Sequence, residues 1–474
     1  MSLLPEQYLT LLDLARNAPS PSNLTAHFNP WFPSEDFEPK TPFFTPSKDD
    51  EFPCCLLDAL ASISVHQPQR EAIATALSLT TGQVTLYVAA NGDVHPETVT
   101  HLQRTWGRLI SVAQGGRNEM EPDISSSKAL QKSIYAFHMA KLRRRFDKYF
   151  DPFVQAFMPE VRRSQDLNSD DITRLESLLH EFQLVRDVLD SKTISEDQRS
   201  RDVARYMAGA EKDRRVALAT NPDKRVHGRH DDILLRCPQE VHDDVSGRSF
   251  FVRKHLAKLF EIQGHFLTLQ ELARSRHFVD LIRCTFHVVA VDAIHRTIVH
   301  DLRQDVITAV HARPSELRGE SCADVSRQII DRCLLTPDTT TTELTEFGGF
   351  VHGECALLAH LHKEGIAAYL YIGTSRHPCQ ACILFFRSYR NAVSNPLLHY
   401  FMKERNLYLK HFSSSWISPI LAGEAIHSEA QRNLTKYMKN AYDNYIMLCV
   451  INMEIERKQN SGPRPLISSD SDND

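Results

Sequence analysis

No stretch of this 474-residue chain is apolar for long enough to cross a bilayer as a helix. A helical membrane protein is therefore not expected. The first residues, MSLLPEQYLTLLDLARN, carry acidic groups where a secretory leader has a basic start, and they lack its long apolar run. An intracellular protein, cytoplasmic or nuclear, is the expectation. An excess of one charge is also missing: 55 Lys and Arg face 60 Asp and Glu, a formal net charge of −5. Nucleic acid remains a possible partner that the charge does not indicate. The ten cysteines are scattered rather than arrayed as a disulfide framework, which fits a reducing compartment. Internal repeats and heptads are absent.

Composition is otherwise that of a folded protein, 42% hydrophobic and 24% charged. The length calls for two or three domains. Residues 1–51 read as an irregular, Pro-rich N-terminal segment after a short amphipathic start. Residues 52–116 read as a small α/β unit: a helix over Leu56–Ile63, a strand over Gln83–Ala90, a turn at Asn91-Gly92, and a helix opening at Pro96. Residues 125–275 read as mostly helical. Ile172, Leu175, Leu178, Leu179, Phe182, Val185 and Leu189 form one apolar stripe, and Val252, Leu256, Leu259, Phe260 and Phe266 another. Residues 191–250 are charged and weakly periodic, and part of that stretch reads as a loop or linker. From about residue 280 to 455 the pattern changes to alternating strands and helices. Cys284–Val291 and Leu407–Phe412 read as strands, and residues 456–474 as a disordered acidic tail.

Metal donors are concentrated late in the chain. His352-Gly353-Glu354 is followed, after a mostly apolar run, by Pro378-Cys379-Gln380-Ala381-Cys382. Between them ECALLAHLHK (354–363) reads as a helix stopped at Gly365, and AAYLYI (367–372) as a strand ended by Gly373. Pro378 suits the first position of a second helix. Cys379 and Cys382, three apart, then share the face of its first turn. The positive end of that helix favours thiolates. One imidazole and two thiols make three zinc ligands, and a fourth position left open is the mark of a catalytic site. Glu354 is left to move protons. Other uses of the motif are weaker fits. A redox pair would not call for His352 and Glu354, and no second CxxC completes an all-cysteine zinc site. His360 and His362 form an H-x-H, but the Asp that a metalloprotease of that type needs is replaced by Gly373, Thr374 and Ser375.

These residues resemble the cytidine-deaminase-like superfamily, which carries H-x-E on one helix and P-C-x-x-C on the next. The phrase VHGECALL…YLYIGTSRHPCQACILFF looks most like a large branch expanded in fungi. The resemblance spans roughly residues 280–450 and is tight over 351–386. Gly353 departs from it, since the superfamily usually has Ala there. The resemblance implies an α/β fold, with a deaminase-like three-layer αβα domain and mixed sheet over 280–455, preceded by the helical region and the small α/β unit. It also implies Zn2+ on His352, Cys379 and Cys382, with Glu354 as the proton-transfer group in hydrolytic deamination of a nucleobase-containing substrate.

Substrate contacts are less legible. Pocket walls are expected from Glu346–Phe350 and from Thr374–His377, with Ser375 and His377 as candidate substrate-binding residues. Gly348-Gly349 reads as a turn or as room for a ligand. Trp416 reads either as a packing residue or as a platform for a base. The clusters Lys141–Arg145 and Lys212–Arg215, with Arg225 and Arg229, read as a solvated surface or, if gathered on one face, as a nucleic-acid contact. Two functional classes follow: a zinc deaminase, and a catalytically silent deaminase-fold scaffold that keeps its zinc.

Overall fold

The computed structural model describes residues 4–8, 48–67, 71–115, 124–164, 167, 169–218, 240–243, 248–300, 345–402 and 416–460. Most of the Pro-rich N-terminal segment, the expected strand Leu407–Phe412, Arg225, Arg229 and the tail beyond Asn460 lie outside them. The chain forms two compact units. One comprises Pro46–Asp292 and Ile366–Arg376; the other comprises Met1–Thr45, Ala293–Gly365 and His377–Asp474.

The first unit is built on a four-stranded mixed sheet. After helix α1 (Lys48–Ile63), strands β1 (Ile73–Thr80) and β2 (Gln83–Ala90) form an antiparallel hairpin, paired from Ile73 opposite Ala90 to Thr80 opposite Gln83. Their two-residue connection contains Gly82 at φ +76°, a left-handed conformation that glycine adopts without strain. Helix α2 (Pro96–Gly115) follows. The helical region then runs through α3 (Ile124–Phe137), α4 (Met139–Pro152), α5 (Met158–Arg163), α6 (Ser169–Asp190), α7 (Glu196–Leu218), α8 (Val252–Ala273) and α9 (Arg276–Leu281). The chain next returns to the sheet. A strand over Thr285–Ala290 lies parallel to β2, with Val84 opposite Phe286. Parallel pairing requires a crossover, and the whole helical region supplies it. Residues Gly373 and Thr374 complete the sheet, antiparallel to β1.

This topology redraws the expected organisation. The strand expected to open the zinc domain near residue 284 pairs with β2, so a division near residue 280 would fall inside one sheet. The strand expected over residues 367–372 does not form; the strand lies at Gly373–Thr374, where the expected one was to end, although Tyr369 N–H donates to the Leu77 carbonyl. Only glycine fits at 373, because a Cβ there would strike the Leu57 backbone of α1. Asp58, one residue further along α1, accepts from the Tyr371 hydroxyl (2.9 and 3.0 Å) and from the Thr374 amide (3.1 Å). Burial and the Asp58 charge push the Tyr371 hydroxyl far above the ordinary tyrosine range, so it stays a donor.

Trp106 of α2 stacks flat on Phe286 (4.1 Å, 4°) and joins that helix to the sheet. The expected stripe of α6 is buried at Leu175, Leu178, Phe182, Val185 and Leu189, while Ile172 and Leu179 at its margins are half-buried. Helix α7 replaces the start of the expected linker. It buries Val203, Ala204, Met207 and Ala210, a narrow helical stripe that the surrounding charged residues disguise. The Lys141–Arg145 cluster is partly internal: Arg145 pairs with Glu261 of α8 at 2.8 Å and Lys141 approaches it at 3.6 Å. Burial alone would raise the Glu261 carboxyl, but Arg145, Lys141 and Lys258 together hold it below its ordinary range.

Two histidines make this unit acid-sensitive. His101 lies flat on Phe137 (3.9 Å, 4°) and is 2% exposed, and His138 is 1% exposed. Burial, reinforced by Arg104, lowers His101 to about 3; burial, reinforced by Lys141, holds His138 well below its ordinary value. Both are neutral in the folded chain at pH values where the unfolded chain binds their protons. Stability therefore falls as pH drops below about 6.5, by up to about 1.4 kcal/mol per pH unit per histidine, until the folded groups themselves titrate. The thermal midpoint of the helical signal should fall clearly between pH 7.5 and pH 5. A flat profile would mean that these rings reach solvent.

In the second unit, strands over His295–His300 and Thr345–Phe350 pair antiparallel. Gly348 and Gly349, read from sequence as a turn or ligand approach, instead stand opposite Thr297 and Arg296 in this ladder. With β3 (Glu240–Asp243), β4 (Arg248–Phe251), β5 (Thr285–Ala290), β6 (His295–His300), β7 (Thr345–Phe350) and β8 (Gly373–Thr374), the strands number eight among the described residues. Three helices follow β7: α10 (Gly353–Lys363), α11 (Gln380–Ala392) and α12 (Glu424–Asn460). Helix α12 runs past the boundary expected at 455. Helices α10 and α11 are buried on nearly every side, as apolar helices in the middle of a core are.

Candidate metal centre

Two helix N-termini in the second unit hold the donors. His352 is the N-cap of α10 (φ −60°, ψ 143°), and Cys379 is the N-cap of α11 (φ −73°, ψ 161°). Both have the extended backbone usual at that position. Neither side chain caps its helix, so both keep their donor atoms for another partner. Helix α11 begins one residue after the N-cap, so Pro378 precedes the cap rather than filling the first helical position expected for it. Cys382 lies three residues beyond Cys379, in the first turn.

The three donor atoms converge. His352 Nδ1 is 3.6 Å from Cys379 Sγ and 3.4 Å from Cys382 Sγ, and the two sulfurs are 3.4 Å apart. A disulfide, with its bond of about 2.0 Å, is excluded at that spacing. Bonds of about 2.0 Å to nitrogen and 2.3 Å to sulfur at tetrahedral angles place donors roughly 3.5–3.8 Å apart. The observed triangle matches that to within a few tenths of an ångström. His352, Cys379 and Cys382 thus form a group that can hold a metal ion.

The electrostatics suit a cation. Contact with Cys382 and burial push the Cys379 thiol well above the ordinary cysteine range, and burial does the same to Cys382. Thiolates form here when a cation's charge replaces the protons. Burial alone would lower His352, but the contact with Cys379, with Cys379 and Glu354 charge nearby, holds it above its ordinary value. Glu354 follows in the first turn of α10 and is 7% exposed.

The sequence did not point to the shell behind these ligands. Trp416 is 1% exposed, and its indole N–H donates to Cys382 Sγ at 3.2 Å. Its ring leans on Phe385 of α11 at 6.3 Å. The ring therefore offers no open face to a base. Cys355, one residue after Glu354, is fully buried, and burial pushes its thiol above the ordinary cysteine range. The missed signal is its spacing: Cys355 follows His352 by three, as Cys382 follows Cys379. The H-x-H histidine His362 is engaged elsewhere, with Nδ1 3.1 Å from the Tyr389 hydroxyl and Nε2 2.9 Å from the Ala422 carbonyl. Of the candidate substrate contacts, His377 is exposed. Ser375, in the other unit, is half-buried and accepts from the Ile73 amide at 2.8 Å.

Comparison with known proteins agrees with this site. Residues 351–417 match the family model of the OTT_1508-like deaminases. The match runs from just before His352 to just past Trp416, so it takes in Glu354, Cys379 and Cys382. No curated protein and no solved structure shows significant similarity to the chain. The protein is therefore an α/β chain with a mixed sheet, a segment similar to deaminases and a His/Cys/Cys constellation that can hold a metal ion. Among the described residues no helix is long and apolar enough to cross a membrane.

Proposed function

We propose that the chain is a zinc-dependent hydrolytic deaminase of a nucleobase-containing substrate, whether free base, nucleoside, nucleotide or nucleic acid. The observation that carries this reading is the donor triangle of His352, Cys379 and Cys382 with Glu354 in the first turn beside it. Three protein donors leave a coordination position for a water, as catalytic zinc sites do. Zinc bound there supplies a water that is nucleophilic near neutral pH. Partial exposure of His352 and Cys379 is consistent with access from solvent.

The chain's own contribution is proton transfer. The Glu354 carboxylate takes a proton from the attacking water and delivers it to the ring nitrogen. It then carries a second proton to the departing amine. Water adds, the carbon–nitrogen bond to the exocyclic amine breaks, and the products are a ring carbonyl and ammonia. Cys382, steadied by the Trp416 N–H, keeps the ligand geometry constant through these steps.

The test joins metal content to chemistry. Mass spectrometry of the purified protein should find about one zinc per chain that the Cys379→Ser variant loses. It should also release ammonia from at least one member of a panel of bases, nucleosides, nucleotides and oligonucleotides. Zinc without turnover across that panel would favour the scaffold reading. A folded protein that takes up no zinc would sink both.

A further inference from the structure

A second group of metal-ligating side chains lies in the unit that carries the sheet. His66 sits in the loop that leaves α1, Glu71 just before β1, and His95 and Glu97 at the start of α2. The His66 and His95 rings stack at 4.3 Å with 13° between their planes. His66 Nδ1 is 3.5 Å from Glu97 Oε2. One donor atom from each of His66, His95 and Glu97 lies within 4.8 Å of the others. Glu71 adds a second carboxylate near both imidazoles. Its Oε2 accepts from the Gln67 amide at 2.5 Å, which holds it against the same loop.

We propose that this cluster is a second divalent-metal site, with His66, His95 and Glu97 as ligands and Glu71 beside them. A plain ion pair does not account for the geometry. His66 Nδ1 is buried and, among the described residues, has no hydrogen-bond partner. It faces the Glu97 carboxylate at a separation too long for a good hydrogen bond but close to the edge of a metal tetrahedron, about 3.3 Å for bonds of about 2.0 Å. Two imidazoles with carboxylates and no thiol form a borderline donor set that suits zinc and its first-row neighbours.

Loading the ion rearranges the site in a definite way. Ligation lies in the plane of each imidazole, so the stacked rings must splay. His95 Nδ1 now accepts from the Glu97 amide at 3.3 Å, a long contact that capping of α2 can release. Both histidines stand on segments outside the helices and strands. The bound ion would tie the loop after α1 to the N-terminus of α2. It is independent of the Cys379–Cys382 centre, which belongs to the other unit.

Cobalt separates the two sites because only a thiolate site shows sulfur-to-cobalt charge transfer. The full chain carrying Cys379→Ser and Cys382→Ser should still retain one equivalent of Co2+ or Zn2+ after dialysis against metal-free buffer. Its cobalt spectrum should lack the sulfur band. Adding His66→Gln should abolish that retained equivalent, with the helical signal unchanged. Retention that is indifferent to His66→Gln and to His95→Ala would overturn the proposal, as would no retention by a folded Cys variant. If the Cys variant folds poorly, His66→Gln in the otherwise unaltered chain decides the same question. Loss of the sulfur-free equivalent alone supports the site, and unchanged stoichiometry refutes it.

Discussion

Replacing Glu354 with Gln is expected to cut ammonia release by about 10²–10⁴-fold, the range that a positioned acid–base group contributes, while zinc content stays at the level of the unaltered chain. The amide has nearly the same shape as the carboxylate. It can still hydrogen-bond, but it cannot accept a proton and return it. Glu354 lies outside the triangle of mutually close donors formed by His352, Cys379 and Cys382, so the substitution removes no ligand. It does remove an acidic group from the first turn of α10, where the helix favours negative charge. That costs stability of only about 0.3–1 kcal/mol. Activity and stability are therefore expected to separate. Metal analysis and ammonia release on one preparation check this. A Glu354→Gln chain that turns over at the original rate would show that another group moves the protons. A chain that loses zinc would show that the carboxylate is a ligand.

How much of this was legible in the sequence depended on scale. The candidate metal donors were legible because their spacing is local: helix geometry alone brings Cys379 and Cys382 to one face. The helix that follows Glu354 was equally clear, down to its stop at Gly365, which has φ +61°. The sheet was not. Strand β1, IATALSLT, carries two Ala, a weak strand former, and a Ser among its eight residues, and its identity comes from burial on both faces. The parallel partner of β2 lies on the far side of the helical region, a distance that no periodicity encodes. Helix α7 was hidden because four apolar positions, two of them alanines, among many charges give a weak stripe. The residue type of Trp416 fits both packing and base stacking. Only three-dimensional placement shows its N–H aimed at Cys382.

That placement gives the second large effect. Cys382→Ser should leave the His352 and Cys379 centre with almost no zinc after dialysis. Cys382 is wholly buried, and serine there supplies a harder, less readily ionised oxygen in place of the thiolate. Trp416→Phe should instead weaken zinc binding by about 10–100-fold, as loss of a ligand's outer partner does, while stoichiometry at saturating metal is preserved. The graded pair is informative because Trp416 has two attributes that phenylalanine separates. Its bulk against Phe385 is largely kept, and its donor to sulfur is lost. If Trp416 only fills space, Trp416→Phe lowers the thermal midpoint and leaves metal affinity alone. If the N–H tempers the charge on Cys382, affinity falls and the sulfur-to-cobalt band of the cobalt form shifts, with the midpoint at saturating metal nearly unchanged. The second outcome is expected, because the 3.2 Å contact reaches the sulfur itself and the indole is too deeply buried to find water as a substitute.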